Sequence, residues 1–137
     1  MNTNDVTAVI VTFKSEHKIF SCLDSIPSDI KVIIVENSDD ANFKKSVESY
    51  RKNVECFLLK FNYGYAFANN YGLKKVNTKI ALIINPDVRL FNNTIENFIL
   101  AASKRKDFWL IGPNQNFNNN KINLDEEIYQ TKDIKGY

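Results

Sequence analysis

Short apolar runs rich in β-branched residues alternate along this chain with segments whose apolar residues recur at helical spacing. This alternation restricts the fold more than any other feature, because such runs are typical of strands buried on both faces of a parallel sheet. Strands that alternate with helices imply right-handed crossovers, and therefore an α/β fold with a mostly parallel sheet flanked by helices. The predicted strands cover residues 6–13, 30–36, 54–60, 79–84 and 108–112, and the predicted helices cover residues 16–25, 41–52, 66–76 and a segment from 93 or 94 onward.

The fourth apolar run, in the stretch Lys79–Leu90, stops abruptly at Asn85, Pro86 and Asp87. Pro86 has no backbone N–H to donate, so it ends the strand and exposes the residues that follow. We expect the run to be a central strand, buried on both faces. A lone carboxylate would then stand at its carboxyl end, where open α/β sheets bind ligands.

Polar residues also follow the first three strands, directly after each apolar run. Because the carboxyl ends of parallel strands meet at one edge of the sheet, we expect these groups to lie close to Asp87. The polar groups are Thr12-Phe13-Lys14, Glu36-Asn37-Ser38-Asp39 and Asn62-Tyr63-Gly64.

The composition excludes several kinds of site. The 137 residues suggest one domain, and 18 basic against 16 acidic residues give a net charge of +2, which lacks the basic footprint of a nucleic-acid-binding protein. Four glycines form neither a dinucleotide-binding motif nor a P-loop, and a single histidine excludes histidine clusters. Phosphates bound here would therefore need a basic side chain or a divalent cation as counter-charge.

Asp87 is a hard oxygen ligand at the expected edge, and magnesium is often held by one or two carboxylates while substrate phosphates complete its coordination. The alternative is an aspartate that only caps a turn or helix. Glu36 has two interpretations as well: a carboxylate that accepts hydrogen bonds from a base or ribose, or a solvated acid at a strand end. Gly64 would allow a left-handed turn or close ligand approach, or be an ordinary loop glycine. The basic candidates for a phosphate contact are Lys14, Lys60 and Arg89.

Cys22 and Cys56 lie in apolar segments and form no CxxC motif, so we expect two buried, reduced thiols. No apolar run approaches the roughly 20 residues needed to cross a bilayer, and no basic segment precedes the first apolar run. We therefore expect the chain to reside in the cytoplasm, without a transmembrane segment.

Four motifs in order, AVIVTF, IIVENSD, FNYGYAFANNYGLKK and LIINPDVRL, make the sequence from Val6 to about Gly112 recognisable. It resembles the nucleotide-sugar-binding half of inverting glycosyltransferases of family 2, which have the Rossmann-like GT-A fold. The subgroup it is most similar to is the bacterial rhamnosyltransferase type, whose NPDT motif is similar to Asn85-Pro86-Asp87-Val88. This resemblance implies a donor-binding domain over residues 1–113 and a role in bacterial polysaccharide biosynthesis.

The resemblance also implies roles for single residues. Thr12 and Phe13 would contact the nucleobase, and Glu36 would hold the base or ribose. Asn62 would belong to the nucleotide-binding loop, and Gly64 and Asn70 would shape the donor pocket. Asn85 and Asp87 would stand where the family's DxD motif binds Mg2+ or Mn2+ and the sugar diphosphate of a dTDP-, UDP- or GDP-linked donor.

Three positions depart from the family pattern. Lys14 stands in place of the usual asparagine, Glu36 in place of aspartate, and Asn85 leaves a single carboxylate in the DxD position. A single carboxylate predicts weak metal binding without substrate, because fewer anionic ligands are preorganised.

In such enzymes the general base lies in a C-terminal half that also shapes the acceptor site, and no acid here matches its position. We expect residues 114–137 to be a partly irregular tail that leads toward that absent half. The intact protein would transfer the sugar to a saccharide or lipid-linked saccharide, at the inner face of the cell membrane. The alternatives are a non-catalytic nucleotide-sugar-binding module or an inactive truncated fragment. A phosphoacceptor receiver domain fits poorly, because its acids follow the first and third strands rather than the second and fourth.

Overall fold

The computed structural model describes residues 1–105 and 107–113 of the chain. Four strands alternate with four helices, after a short 3-10 turn at Thr3–Asp5. The strands are β1 (Val6–Thr12), β2 (Lys31–Glu36), β3 (Val54–Leu58) and β4 (Ile80–Ile84). The helices are α1 (Glu16–Ser25), α2 (Ala41–Tyr50), α3 (Tyr65–Leu73) and α4 (Thr94–Lys104). None of these helices is both long and apolar enough to span a bilayer.

The strands form one sheet in the order β3-β2-β1-β4, and all three pairings are parallel. The register places Thr12 at the end of β1 beside Glu36 at the end of β2. The predicted α/β fold with a parallel sheet flanked by helices is confirmed. Parallel pairing brings the carboxyl ends of all four strands to one edge, where the candidate site lies.

The helices cover the two faces of the sheet unequally. Ile19 of α1, Val47 of α2 and Ile99 of α4 share one apolar cluster with Ile10 of β1 and Ile34 of β2. The opposite face is covered by α3, whose Ala68 packs with Val11, Ile33 and Val35. The center of the sheet is therefore dry on both sides, which explains why all seven residues of β1 are buried.

Helix α3 lies close to the sheet because of Gly72. A β-carbon built at this position would meet Val9 Cγ1 at 2.7 Å and Val35 Cγ2 at 3.0 Å. Any side chain here would push α3 outward and with it the loop at its N-terminus. Gly72 thus fixes the height of one wall of the candidate site.

Two predictions about the sheet are wrong. We predicted a central fourth strand buried on both faces, but β4 pairs only with β1 in the described part of the chain, and Ile83 is 44% exposed. Ile83 pairs with Val9 and therefore lies on the face of the sheet that α3 covers. Because α3 packs mainly over β1 and β2, it leaves Ile83 partly uncovered. The predicted fifth strand over 108–112 is irregular, with Trp109 and Leu110 exposed, because an apolar run becomes a strand only when it finds a pairing partner.

Both cysteines are buried and free, as predicted. The predicted irregular tail over 114–137 lies outside the described residues.

Candidate functional site

A cavity of about 620 Å3 opens at the carboxyl edge of the sheet. Every loop that follows a strand contributes to its lining, which confirms the prediction that the four polar groups converge there. The first turn of α1 adds His17 and Lys18. The lining residues are Val11, Phe13, Lys14, Ser15, His17, Lys18, Asn37, Asn62, Gly64, Tyr65, Asn85, Pro86 and Asp87.

A buried polar group lies at the base of this cavity, and we call Thr12, Glu36 and Asn37 the floor. Glu36 is 1% exposed, and its carboxylate accepts hydrogen bonds from the hydroxyls of Thr12 and Ser38. The pairing of β1 with β2 sets Thr12 beside Glu36, so the sheet register itself provides this contact. Neither Thr12 nor Glu36 lines the cavity directly. Both predicted nucleotide-binding residues therefore support the site from below.

Asn37 is the floor residue that fastens the next loop. Its Nδ2 donates to Asn62 Oδ1 at 2.9 Å and to the Gly64 carbonyl at 3.4 Å, while its Oδ1 accepts from the Tyr63 N–H at 3.0 Å. Gly64 has φ +83°, so the predicted left-handed turn is confirmed. The sequence interpretation did not single out Asn37, although its place directly after Glu36 at a buried strand end was the available signal.

Four exposed side chains form the opposite side of the cavity, and we call Lys18, Tyr65, Asn85 and Asp87 the rim. The Tyr65 hydroxyl donates to Asn85 Oδ1 at 2.8 Å, which links the start of α3 to the loop after β4. The ammonium of Lys18 lies 3.6 Å from Asp87 Oδ2, and the two side chains are 64% and 54% exposed. Sequence interpretation missed Lys18 and Tyr65, because their roles depend on where α1 and α3 begin relative to β4.

The thiol of Cys22 lies beneath the rim. Its Sγ donates to the Asn85 carbonyl at 3.7 Å, a long contact between α1 and the loop after β4. Burial, together with the nearby charge of Asp87, raises the pKa of the Cys22 thiol to about 11. The thiol is therefore neutral at physiological pH and acts here as a packed donor.

The wall formed by the end of β1 combines an aromatic ring with positive charge. Phe13 is 46% exposed, and the Lys14 ammonium lies 5.6 Å from the center of its ring. Lys14 has a left-handed backbone with φ +51°, which turns the chain sharply from β1 toward α1. Of the three basic residues proposed as phosphate partners, Lys14 lines the cavity, whereas Lys60 and Arg89 do not.

Asn70, predicted to shape the donor pocket, is exposed on α3 and does not line the cavity. Its neighbour Asn69 is buried instead. The Asn69 Nδ2 donates to the Tyr65 carbonyl one turn earlier at 3.0 Å, and its Oδ1 has no hydrogen-bond partner. Two adjacent asparagines in a helix point in different directions, and the sequence alone did not show which of them faces the sheet.

A divalent cation fits the rim in an incomplete way. Asn85 Oδ1 and the Asp87 carboxylate are hard oxygen donors two residues apart on one exposed loop. Within residues 1–105 and 107–113, no cluster of three or more His, Cys, Asp or Glu side chains is arranged to hold a metal. A cation here would therefore take most of its ligands from a bound phosphate and from water.

The sequence profile of glycosyl transferase family 2 matches residues 7–135, nearly the whole chain. The chain belongs to this family. It is also 30% identical over 122 residues to the teichoic acid poly(glycerol phosphate) polymerase of Staphylococcus epidermidis, a match that covers 83% of this chain and 17% of that protein. The chain thus spans about a sixth of the length of this curated relative.

Solved structures support the fold independently. TarS of S. aureus superposes with a TM-score of 0.68 at 20% identity, covering 85% of this chain and 23% of TarS. The mannosyltransferase PcManGT from Pyrobaculum calidifontis, solved in complex with GDP-Man and Mn2+, superposes with a TM-score of 0.65 at 20% identity, covering 72% of this chain and 32% of that one. This family-2 chain therefore has the GT-A fold.

Proposed function

We propose that this chain binds the nucleoside-diphosphate sugar of a glycosyltransferase in the cavity at the carboxyl edge of the sheet, with a divalent cation at Asp87. The observation that carries the proposal is the convergence of the four strand-end loops on one cavity, with a buried floor and a rim that carries the Asp87 carboxylate. Membership of glycosyl transferase family 2 supports the reaction class.

The floor and the β1 wall suit a nucleoside. The half-exposed ring of Phe13 offers an apolar face on which a base can stack. Asn62 and Gly64, held in place by Asn37, present polar backbone and amide groups to the same cavity. Thr12 and Glu36 brace these contacts, and a ribose hydroxyl would reach Glu36 only through the lone pairs that Thr12 and Ser38 leave free.

The rim suits a diphosphate with Mg2+ or Mn2+. Asn85 and Asp87 would hold the cation, while Lys18 on the rim and Lys14 on the β1 wall add positive charge. When bound, the cation supplies charge neutralisation for the departing diphosphate. The complex of PcManGT with GDP-Man and Mn2+ supports this kind of donor and cation. The candidate nucleotides are dTDP, UDP and GDP. Asn70 is kept in the proposal as an outer residue of the donor site.

For the whole protein we propose inverting transfer to a saccharide or lipid-linked saccharide on the cytoplasmic face of the membrane, in bacterial envelope polysaccharide synthesis. The name of the Staphylococcus epidermidis relative supports an envelope polymer as the setting, and the Asn85-Pro86-Asp87 motif supports a rhamnosyltransferase-like donor site. Inverting transfer needs a base that deprotonates the acceptor hydroxyl. Asp87 is the only carboxylate among the described residues that line the cavity, and we assign it to the cation. The base is therefore assigned outside the described part of the chain.

The convergence of the strand-end loops on one cavity also favours a second candidate, a nucleotide-sugar-binding module that transfers nothing. The two functions differ in turnover: a transferase releases nucleoside diphosphate from the sugar donor in the presence of acceptor, whereas a binding module returns the donor intact.

Calorimetric titration with UDP, GDP and dTDP, with Mn2+ and with EDTA, tests the proposed site. We expect one nucleotide to bind with Mn2+, and Asp87→Ala to weaken that binding at least tenfold while leaving binding in EDTA little changed. Asp107→Ala is the matched control, because Asp107 is an exposed acid outside the cavity lining. If none of the three nucleotides binds, or if the Asp87→Ala variant binds nucleotide like wild type, the assignment is contradicted.

A further inference from the structure

The two side chains with oxygen donors that the loop after β4 brings to the cavity, Asn85 and Asp87, are both engaged by the chain's own proton donors. Tyr65 of α3 holds Asn85 Oδ1, and Lys18 of α1 pairs with Asp87 Oδ2. We propose that Lys18 competes with the divalent cation for Asp87, and that it passes to the donor's diphosphate when the cation binds. The second half of this inference rests on the proposed function, and the first half does not.

The geometry makes Lys18 an exchangeable partner. Its ammonium lies 3.6 Å from Asp87 Oδ2, at the long end of an ion pair, and more than half of each side chain is exposed. Exposed pairs of this kind contribute little stability, so separating them costs little. A lysine side chain is also a compact charge on a flexible four-carbon stem. Lys18 can therefore swing from Asp87 to another anion in the same cavity without any change in α1.

The charges of the cavity explain why such an exchange couples cation to donor. Lys14 and Lys18 are opposed by one carboxylate among the lining residues, Asp87. A divalent cation that arrives alone must displace Lys18 and then lies beside an unpaired ammonium, which repels it. A diphosphate offers Lys18 a new anionic partner and supplies further oxygen ligands to the cation. Each ligand should therefore raise the affinity of the other.

Tyr65 provides an internal contrast to Lys18. Its hydroxyl engages the other oxygen donor of the same loop but carries no charge. Removing it with Tyr65→Phe frees Asn85 Oδ1 without changing the net charge of the cavity, so it should alter cation affinity less than removing the charge of Lys18.

The first experiment measures Mn2+ alone, by electron paramagnetic resonance of the free ion at low ionic strength, where exposed charges are least screened. We expect Lys18→Met to bind Mn2+ about two- to fivefold more tightly than wild type, the range that an exposed ion pair supports. Lys79→Met is the control, because it removes the same charge from an exposed lysine that pairs with Asp5 at the opposite end of β4. The double variant Lys18→Met/Asp87→Asn should lose the gain.

An Mn2+ affinity that Lys18→Met leaves unchanged or lowers would overturn the competition, as would an equal gain in Lys79→Met or a gain that survives Asp87→Asn. Circular dichroism confirms that each variant is folded; this is expected, since Lys18 is exposed.

The second experiment titrates UDP, GDP and dTDP into wild type and Lys18→Met, with EDTA and with saturating Mn2+. We expect Lys18→Met to weaken nucleotide binding about two- to fivefold with saturating Mn2+ and less in EDTA, where Lys18 stays paired with Asp87, and so to reduce the factor by which Mn2+ enhances binding. An undiminished enhancement would overturn the transfer of Lys18 to the diphosphate. A tighter Mn2+ site without any nucleotide binding would contradict the proposed function while leaving the competition intact. If nucleotides bind but Lys18→Met leaves the Mn2+ affinity unaltered, the competition is contradicted and the proposed function is left intact.

Discussion

The floor and the rim belong to the same cavity at one edge of the sheet, yet they are built in opposite ways. Thr12, Glu36 and Asn37 are at most 2% exposed, and each is hydrogen-bonded to another part of the chain. The rim side chains Lys18 and Asp87 are more than half exposed and meet across 3.6 Å. The difference indicates that the floor is a fixed support, whereas the rim can exchange partners when ligands bind.

The physical reason is the cost of burial. A buried carboxylate or amide must keep its hydrogen-bond partners, because losing one leaves a polar group without water. An exposed carboxylate replaces a lost partner with solvent at little cost. We therefore expect the same chemical change to have different consequences in the two regions.

The largest contrast should come from replacing a carboxylate by its amide in each region. Glu36→Gln leaves either the buried hydroxyl of Thr12 or the partly buried hydroxyl of Ser38 without its acceptor, and should lower the free energy of unfolding by about 1–3 kcal/mol. Asp87→Asn should change it by less than about 0.5 kcal/mol, since the side chain is exposed. Urea denaturation of both variants measures the difference. Equal losses in the two would show that the floor is no more constrained than the rim.

A somewhat smaller effect is expected from Asn37→Ala. The variant loses three hydrogen bonds to residues 62–64, but water can enter the space of the removed side chain and replace some of them. We expect the free energy of unfolding to fall by about 1–2 kcal/mol and the amide protons of Tyr63 and Gly64 to exchange faster.

The control for Asn37→Ala is Asn97→Ala, on the exposed side of α4, where alanine is a better helix former and stability should not fall. Unchanged hydrogen exchange at Tyr63 in Asn37→Ala would mean that the loop is held by other contacts.

The smallest effect concerns the thiol beneath the rim. The folded state raises the pKa of Cys22 to about 11 from the free value of 9.0, so the unfolded chain loses this proton first as pH rises. The contribution of this thiol to the free energy of unfolding is fully present below pH 9 and is lost between pH 9 and 11. At pH 9.5 the loss amounts to less than about 1 kcal/mol.

Urea denaturation at pH 8 and pH 9.5 tests this, with Cys22→Ala as the comparison. Cys56, whose pKa burial raises to about 12, should maintain part of the decline in that variant. An identical decline in wild type and Cys22→Ala would show that the Cys22 thiol is not protected from ionisation by its position under the loop.

Much of the site was predictable because it follows strand ends. Phe13, Asn62, Gly64, Asn85 and Asp87 were all identified from sequence, and all line the cavity. Each follows a strongly patterned apolar run, and in a parallel sheet that position alone brings a residue to the shared edge. Asn37 carried the same signal and was passed over in favour of its charged neighbour.

The missed residues are those that depend on packing between elements. Lys18 reaches Asp87 because α1 packs under the loop after β4, and Tyr65 reaches Asn85 because Gly72 lets α3 approach the sheet closely. The choice between Asn69 and Asn70 also depended on the rotation of α3 about its axis. No local pattern encodes these distances.

The sequence by itself determined the class of fold, the edge of the sheet that carries the site, and the family to which the chain belongs. It did so because apolar periodicity and strand-ending residues act locally, and parallel topology converts them into one shared edge. Only the tertiary structure decided that Glu36 lies beneath the cavity, that β4 is an outer strand of the described sheet, and that Asp87 is paired with a lysine. Those outcomes depend on register and on helix packing, in which residues far apart in the chain meet.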